Sequence, residues 1–287
     1  MALKYAAAAL AAFTIAHTGN VAVAQTVDSE ELVITAPDVE EVRAFVDALS
    51  AESSSGQLAR WDRTICPGVI GATTAGAEFI LDRIAIRAYE VDLDVGEPGC
   101  SPNILIVVTD QSNEVAASLR NSSAVALRLD EGNTRGRAAY REFVESDRPI
   151  RWWHITQTTG ADGESVADGR PPVLRVRSVG RLRATTREDF NRVIIIMDVN
   201  RTAGVPLGAV ADYLAMAALA QIEPDVDVSE QPSILNIFAD REAGRAGPTS
   251  LTAWDSAYLA GLYRAPRDAR NSGQQQRAIE REILGDR

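Results

Sequence analysis

The chain has 287 residues, of which 46% are apolar, 24% charged and 6% aromatic. These proportions exclude a collagen, a coiled coil and a wholly disordered polymer. The net charge of −11 comes without the basic stripe that nucleic-acid binding needs, so no nucleic acid is expected as a partner.

Residues 1–24 have the pattern of a secretory signal peptide. Lys4 supplies a positive start, Tyr5 to Ile15 is small or apolar apart from Thr14, and Ala22-Val23-Ala24 forms a small-x-small cleavage site before Gln25. The apolar core is about half the roughly 20 residues that span a bilayer, and no later run is long enough. No membrane span is therefore expected after cleavage, and the expected location is periplasmic or secreted. Trimming removes Lys4, the only lysine, and His17, which leaves His154 as the single histidine. A zinc site of two or three histidines cannot then be built within one chain, and Schiff-base lysine chemistry is excluded. No cofactor is expected.

Leu32 to Thr35 alternates like a short strand. Pro37-Asp38 opens a helix through Leu49 with Val39, Val42, Val46 and Leu49 on one face. A Ser-rich connector follows, and Trp61-Asp62-Arg63 leads toward Cys66 as a strand. Thr73 or Thr74 caps a helix to about Tyr89, with Phe79, Ile80, Ile84 and Tyr89 as its buried stripe. Cys66 and Cys100 lie in turn-rich contexts, and in an oxidising compartment an even pair reads as one disulfide, closing about 35 residues. A catalytic thiol is the alternative, although nothing nearby would lower its pKa. The apolar run Ile104–Thr109 is a buried central strand, followed by helices at about Ser112–Leu119 and Arg137–Val144.

Arg151 to Thr156 is a strand by its aromatic and β-branched content. Trp152 and His154 point to one face of it and Trp153 to the other. With no Ser or Cys nucleophile near it in sequence, this cluster reads as a packed tryptophan beside a satisfied core histidine; the alternative is a binding groove with His154 as a proton carrier. A long hairpin loop with Asp162-Gly163 and Asp168-Gly169 leads to a strand at Val173–Val176; it lacks the order of an EF-hand calcium loop. Thr186 with Asp189 fits a capping box for one helical turn. Val193–Val199 is the strongest strand signal. The helix Leu207–Gln221 is apolar almost all round apart from Asp212, which needs solvent, a raised pKa or a partner such as Arg63 or Arg192. Thr252 with Asp255 caps a final core helix through Tyr263, carrying Trp254, Tyr258, Leu259 and Leu262. The polar tail 265–287 is a peripheral helix or unstructured.

No Gly-x-Ser-x-Gly elbow, phosphate loop, Gly-x-Gly-x-x-Gly or His-Glu-x-x-His occurs. The expected fold is α+β: a mixed central sheet with packed helices and a single disulfide, in one domain over 25–264.

The region from Val193 to Tyr263 resembles secreted bacterial proteins distantly similar to zincin metallopeptidases. The likeness lies in the strand Val193–Val199, the helix Val210-Ala211-Asp212-Tyr213-Leu214-Ala215-Met216-Ala217, the stretch Ser233-Ile234-Leu235-Asn236-Ile237-Phe238, and then Leu251-Thr252-Ala253-Trp254-Asp255 with Leu259-Ala260-Gly261-Leu262-Tyr263. The resemblance implies a zincin-like part over about 150–264. Active zincins carry His-Glu-x-x-His on that helix, where residues one turn apart grip one metal. Here those places hold Asp212, Tyr213 and Met216, so the resemblance implies a scaffold without the zinc site. The expectation is a non-catalytic protein that binds a protein or small-molecule partner in the envelope, with Trp152, His154, Asp212, Tyr213 and Met216 as the candidate cleft. The alternative is a secreted hydrolase using His154 or a carboxylate pair.

Overall fold

Three parallel strands and one antiparallel strand form the central sheet of the computed structural model, which describes residues 37–51, 56–120, 135–161 and 183–285. The strands are β1 (Pro67–Ile70), β2 (Ile104–Thr109), β3 (Ile150–Gly160) and β4 (Thr186–Asp198), in the spatial order β1-β2-β4-β3. The helices are α1 (Val39–Leu49), α2 (Thr74–Tyr89), α3 (Ser112–Arg120), α4 (Gly136–Glu145), α5 (Val199–Thr202), α6 (Leu207–Leu219), α7 (Ile237–Glu242), α8 (Ala253–Arg264) and α9 (Ser272–Leu284). The fold is therefore α+β with one mixed sheet, and Cys66 and Cys100 are joined in a disulfide. The signal peptide, the Leu32–Thr35 strand, the serines of the connector, both Asp-Gly pairs and the Val173–Val176 strand lie outside the described residues.

The register follows from which side chains must be covered. β2 pairs with β4 from Ile104↔Val193 to Thr109↔Asp198, so the two strongest apolar runs lie side by side at the centre. Ile104, Ile106, Val193, Ile195, Met197 and Trp152 pack on one face with α1, α2, α6, α8 and α9. Trp153, Ile155, Ile194 and Ile196 pack on the other against Ala116 of α3 and Tyr140, Phe143 and Val144 of α4. Trp152 and Trp153 thus serve separate cores, as alternation along a strand requires. Between Ile155 and Thr156 the β3–β4 pairing shifts by one residue on β4. Strict alternation would put Phe190 with Ile194 on the second face; the bulge returns it to the main core, against Trp61 and His154.

Several helix starts follow from their capping residues. Asp38 accepts from the N–H groups of Glu40 and Glu41, Thr73 from Gly76, and Thr252 exchanges bonds with Asp255 in a complete capping box. Gly71 (φ +84°) makes the turn from β1 into α2, where an added Cβ would lie 2.0 Å from the Val108 carbonyl oxygen. The residues after Arg264 form the peripheral helix of the two alternatives. α9 packs on α8 and α1 and buries Ile279 and Ile283.

Four details differ from the sequence reading. The strand near Cys66 begins after the disulfide, at Pro67, because pairing with β2 makes it a strand despite its Pro-Gly start. Thr186 and Asp189 belong to β4, not to a helical turn, since their neighbours find partners across the hairpin on β3. Phe79 and Tyr89 face outward, and Ala88 joins Ile80 and Ile84 on the buried side of α2. On α1, Val39 is exposed and Phe45 takes its place in the core.

Candidate functional site

Asp212 sits at the middle of α6 and is fully buried. An isolated carboxylate there would be prohibitively costly, so its surroundings must supply charge and donors. They come from α2. Arg87 Nε donates to Oδ1 at 2.9 Å and Nη2 to Oδ2 at 3.0 Å, a two-pronged pair. Arg83 lies 3.7 Å away, and the Leu251 N–H donates to Oδ2 at 3.0 Å. The partner is thus neither Arg63 nor Arg192; Arg63 donates instead to the Asn191 carbonyl. Arg87 also holds Glu90, one turn further along α2.

His154 lies on β3 under the other end of α6. The last carbonyls of a helix have no partner within it. Here the Met216 carbonyl takes the Ala220 N–H, and three side chains serve the next three. His154 Nε2 donates to Ala217 at 2.8 Å, Trp61 Nε1 to Ala218 at 2.8 Å and Tyr263 Oη to Leu219 at 2.8 Å. A carbonyl only accepts, so His154 carries its proton on Nε2. Burial pushes its pKa down to about 4, helped by the Arg135 charge and opposed by the Ala217 bond. An imidazole so engaged is a weak base at neutral pH.

Of the five residues expected to share a cleft, two meet directly: the Trp152 and Tyr213 rings pack edge-on at 6.1 Å. Tyr213 also packs on Phe238, and burial pushes its phenol upward. Met216 is fully buried, one turn after Asp212 on the same face of α6. Trp152 and His154 line a cavity of about 20 Å³; Asp212, Tyr213 and Met216 do not reach it. Among the described residues, no three His, Cys, Asp or Glu side chains converge as a metal site.

A second polar centre, at the carboxyl ends of β2 and β4, escaped sequence reasoning. Ser112 at the start of α3 donates to Asp198 Oδ2 at 2.6 Å and accepts from Arg151 Nη2 at 3.0 Å. Arg151 is 1% exposed and also reaches Asn113 at 2.6 Å and the Val144 carbonyl at 3.1 Å. Burial pushes the Asp198 carboxyl up, but Ser112, the N–H groups of Arg201 and Asn200 and the Arg201 charge together hold it below the usual carboxylate range. So stabilised, it is a poor base for activating the hydroxyl. The sequence signal for it is the polar pair Ser112-Asn113, three and four positions past the end of a buried strand.

Asp255 ties the segment that begins at Ser233 to the start of α8. Its Oδ1 accepts from Ser233 Oγ at 2.7 Å, and Oδ2 accepts from the N–H of Ile234 at 2.7 Å and of Thr252 at 2.9 Å. No protein-family model, curated protein or solved structure matches this chain. Among the described residues, no helix is long and apolar enough to cross a membrane.

Proposed function

We propose that this is an exported, non-catalytic protein with a zincin-like scaffold, and that it binds a protein partner in the cell envelope through the outer face of α2. The observation that carries this reading is the two-sidedness of α2. Its inner side clamps Asp212, the one carboxylate on the helix where zincins hold their metal, through Arg87 and Arg83. Its outer side leaves Phe79, Ile86 and Tyr89 41%, 49% and 60% exposed, and the Phe79 ring lies near Gly208 of α6, next in sequence to the exposed Leu207. Apolar side chains gathered along one helix face mark interaction surfaces.

Glu78, Asp82 and Glu90 are exposed among those apolar residues. An acidic, apolar stripe repels a second copy of itself and suits a basic amphipathic helix laid along it. The occupant is therefore a partner helix bearing Arg or Lys at its flanks. Export is supported by the leader pattern of residues 1–24 and fits the disulfide, a bond favoured in oxidising compartments.

The test places a photo-crosslinking amino acid at position 86 in cells, with a second at exposed Glu230 as the control. One discrete adduct from position 86 that is lost on Asp82→Arg supports the reading; no adduct, or the same adduct from both positions, overturns it. Zinc held one-to-one by the purified protein would overturn the non-catalytic part.

A further inference from the structure

Ala75, Phe79, Asp82, Ile86 and Tyr89 of α2 are all exposed, and successive members stand four, three, four and three positions apart. At 100° per residue they fall within about 40° of one line along the helix, a stripe narrower than the face by which a helix packs onto a core. The spacing is that of an a/d seam of a coiled coil, carried over two heptads. Ile80, Ile84 and Ala88, on the opposite side, pack on the protein's own core. α2 thus carries one seam that is filled and a second that is open.

We infer that the partner docked on α2 is a single helix with a matching heptad seam, and that this seam carries a Lys or Arg opposite Asp82. The inference rests on the docking surface proposed above and specifies what fits it. Side chains at this spacing interlock with a helix that runs nearly alongside, crossing at about 20°. Asp82 is the middle of the five seam positions, so a helix that covers Phe79 and Ile86 covers it too. Closed in against an apolar residue, its carboxylate would lose hydration with nothing in return; a cation opposite it supplies the missing partner. One polar seam position also fixes register and rejects other partners. A second copy of this chain is among those rejected. Laid antiparallel about the middle of the seam, it would set Asp82 against its own equivalent.

The flanks of the seam agree. Glu78 and Glu90 stand beside it and are exposed. Arg83 also stands beside it, but is drawn inward: its Nε lies 3.7 Å from Asp212 and its guanidinium 5.9 Å from the centre of the Phe79 ring. Arg87 is held between Asp212 and Glu90. Two arginines therefore meet four carboxylates along this helix, counting Asp82 and Glu78. The buried Asp212 keeps the arginines from the seam, which stays attractive to a basic helix.

The experiment moves the photo-crosslinking amino acid along α2 of the full chain in cells. Adduct yield should peak at positions 75, 79, 86 and 89 and fall severalfold at 74 and 85, with the crosslinked partner residues themselves three and four apart. Asp82→Asn should weaken the position-86 adduct roughly tenfold, and Asp82→Arg should abolish it. Replacing the partner's Lys or Arg opposite position 82 by Glu should restore the adduct with Asp82→Arg. Should a variant fail to fold, the scan and the spacing on the partner decide alone. No adduct at position 86, or one with a second copy only, fails the docking surface itself and this inference with it. An adduct at 86 with even yield along α2, partner residues without the three-and-four spacing, or a charge swap that restores nothing leaves the docking surface standing and overturns the heptad partner.

Discussion

The Nε2–H of His154 closes the end of α6 by donating to the Ala217 carbonyl across 2.8 Å, and the ring packs tilted on Phe190 at 4.9 Å. Burial keeps this histidine neutral, and the bond to Ala217 gives its one N–H an acceptor. Folding depresses its pKa from 6.5 to about 4, so its contribution to stability is complete above pH 6.5 and is lost as pH falls toward 4. The loss across that interval is about 3 kcal/mol. Urea denaturation at a series of pH values should show this decline. His154→Leu should remove it while lowering stability at pH 7 by about 1–3 kcal/mol, because Ala217 loses its donor. An unchanged pH profile in the variant would place the titration elsewhere.

Arg87 and Asp212 form a buried pair whose halves depend on each other. Arg87→Met should destabilise the protein by about 3–5 kcal/mol, since it strands a fully buried carboxylate with only Arg83 in range. The double variant Arg87→Met with Asp212→Leu should recover most of that loss. A double-mutant cycle by chemical denaturation measures the coupling, and additive effects would refute it.

The Cys66–Cys100 bond spans 34 positions of sequence. Closing a loop of that size lowers the entropy of the unfolded chain, worth about 4 kcal/mol. The Cys66→Ser, Cys100→Ser variant should therefore unfold at lower denaturant by that amount, and a reducing agent should move the wild type to the same midpoint.

α8 and α9 approach so closely at Gly261 that an added Cβ would stand 2.5 Å from the Ile279 Cα. Gly261→Ala must push α9 outward. The expected cost is about 1–3 kcal/mol, with faster proteolysis between Ala265 and Asn271. Equal protection of that segment in the variant would show that the contact tolerates a methyl group.

Much of this arrangement was legible in the sequence, because the signals were local. The apolar run Ile104–Thr109 is β2 to the residue, the capping box at Thr252 and Asp255 starts α8, and Pro37-Asp38 marks the entry to α1. What escaped depends on residues far apart. β1 is a strand only because β2 lies beside it. The polar start of β4 reads as a helix cap until Thr158 and Thr159 pair with Glu188 and Asp189. Asp212 announces that it needs an arginine, but the one that answers is 125 positions earlier. The site reading was limited in the same way: side-chain alternation put Trp152 and Trp153 on opposite faces correctly, while burial of β3 from Ile150 to Thr156 depends on the helices around it.

The last turn of α6 draws one ligature from each of three distant stretches of chain, through Trp61, His154 and Tyr263. An ordinary helix end frays alone and at little cost. This one cannot loosen without severing all three ties together, so the amides of Ala218, Leu219 and Ala220 should exchange with solvent only when the entire core opens. The terminus acts as a knot: cooperativity is concentrated where helices usually begin to melt.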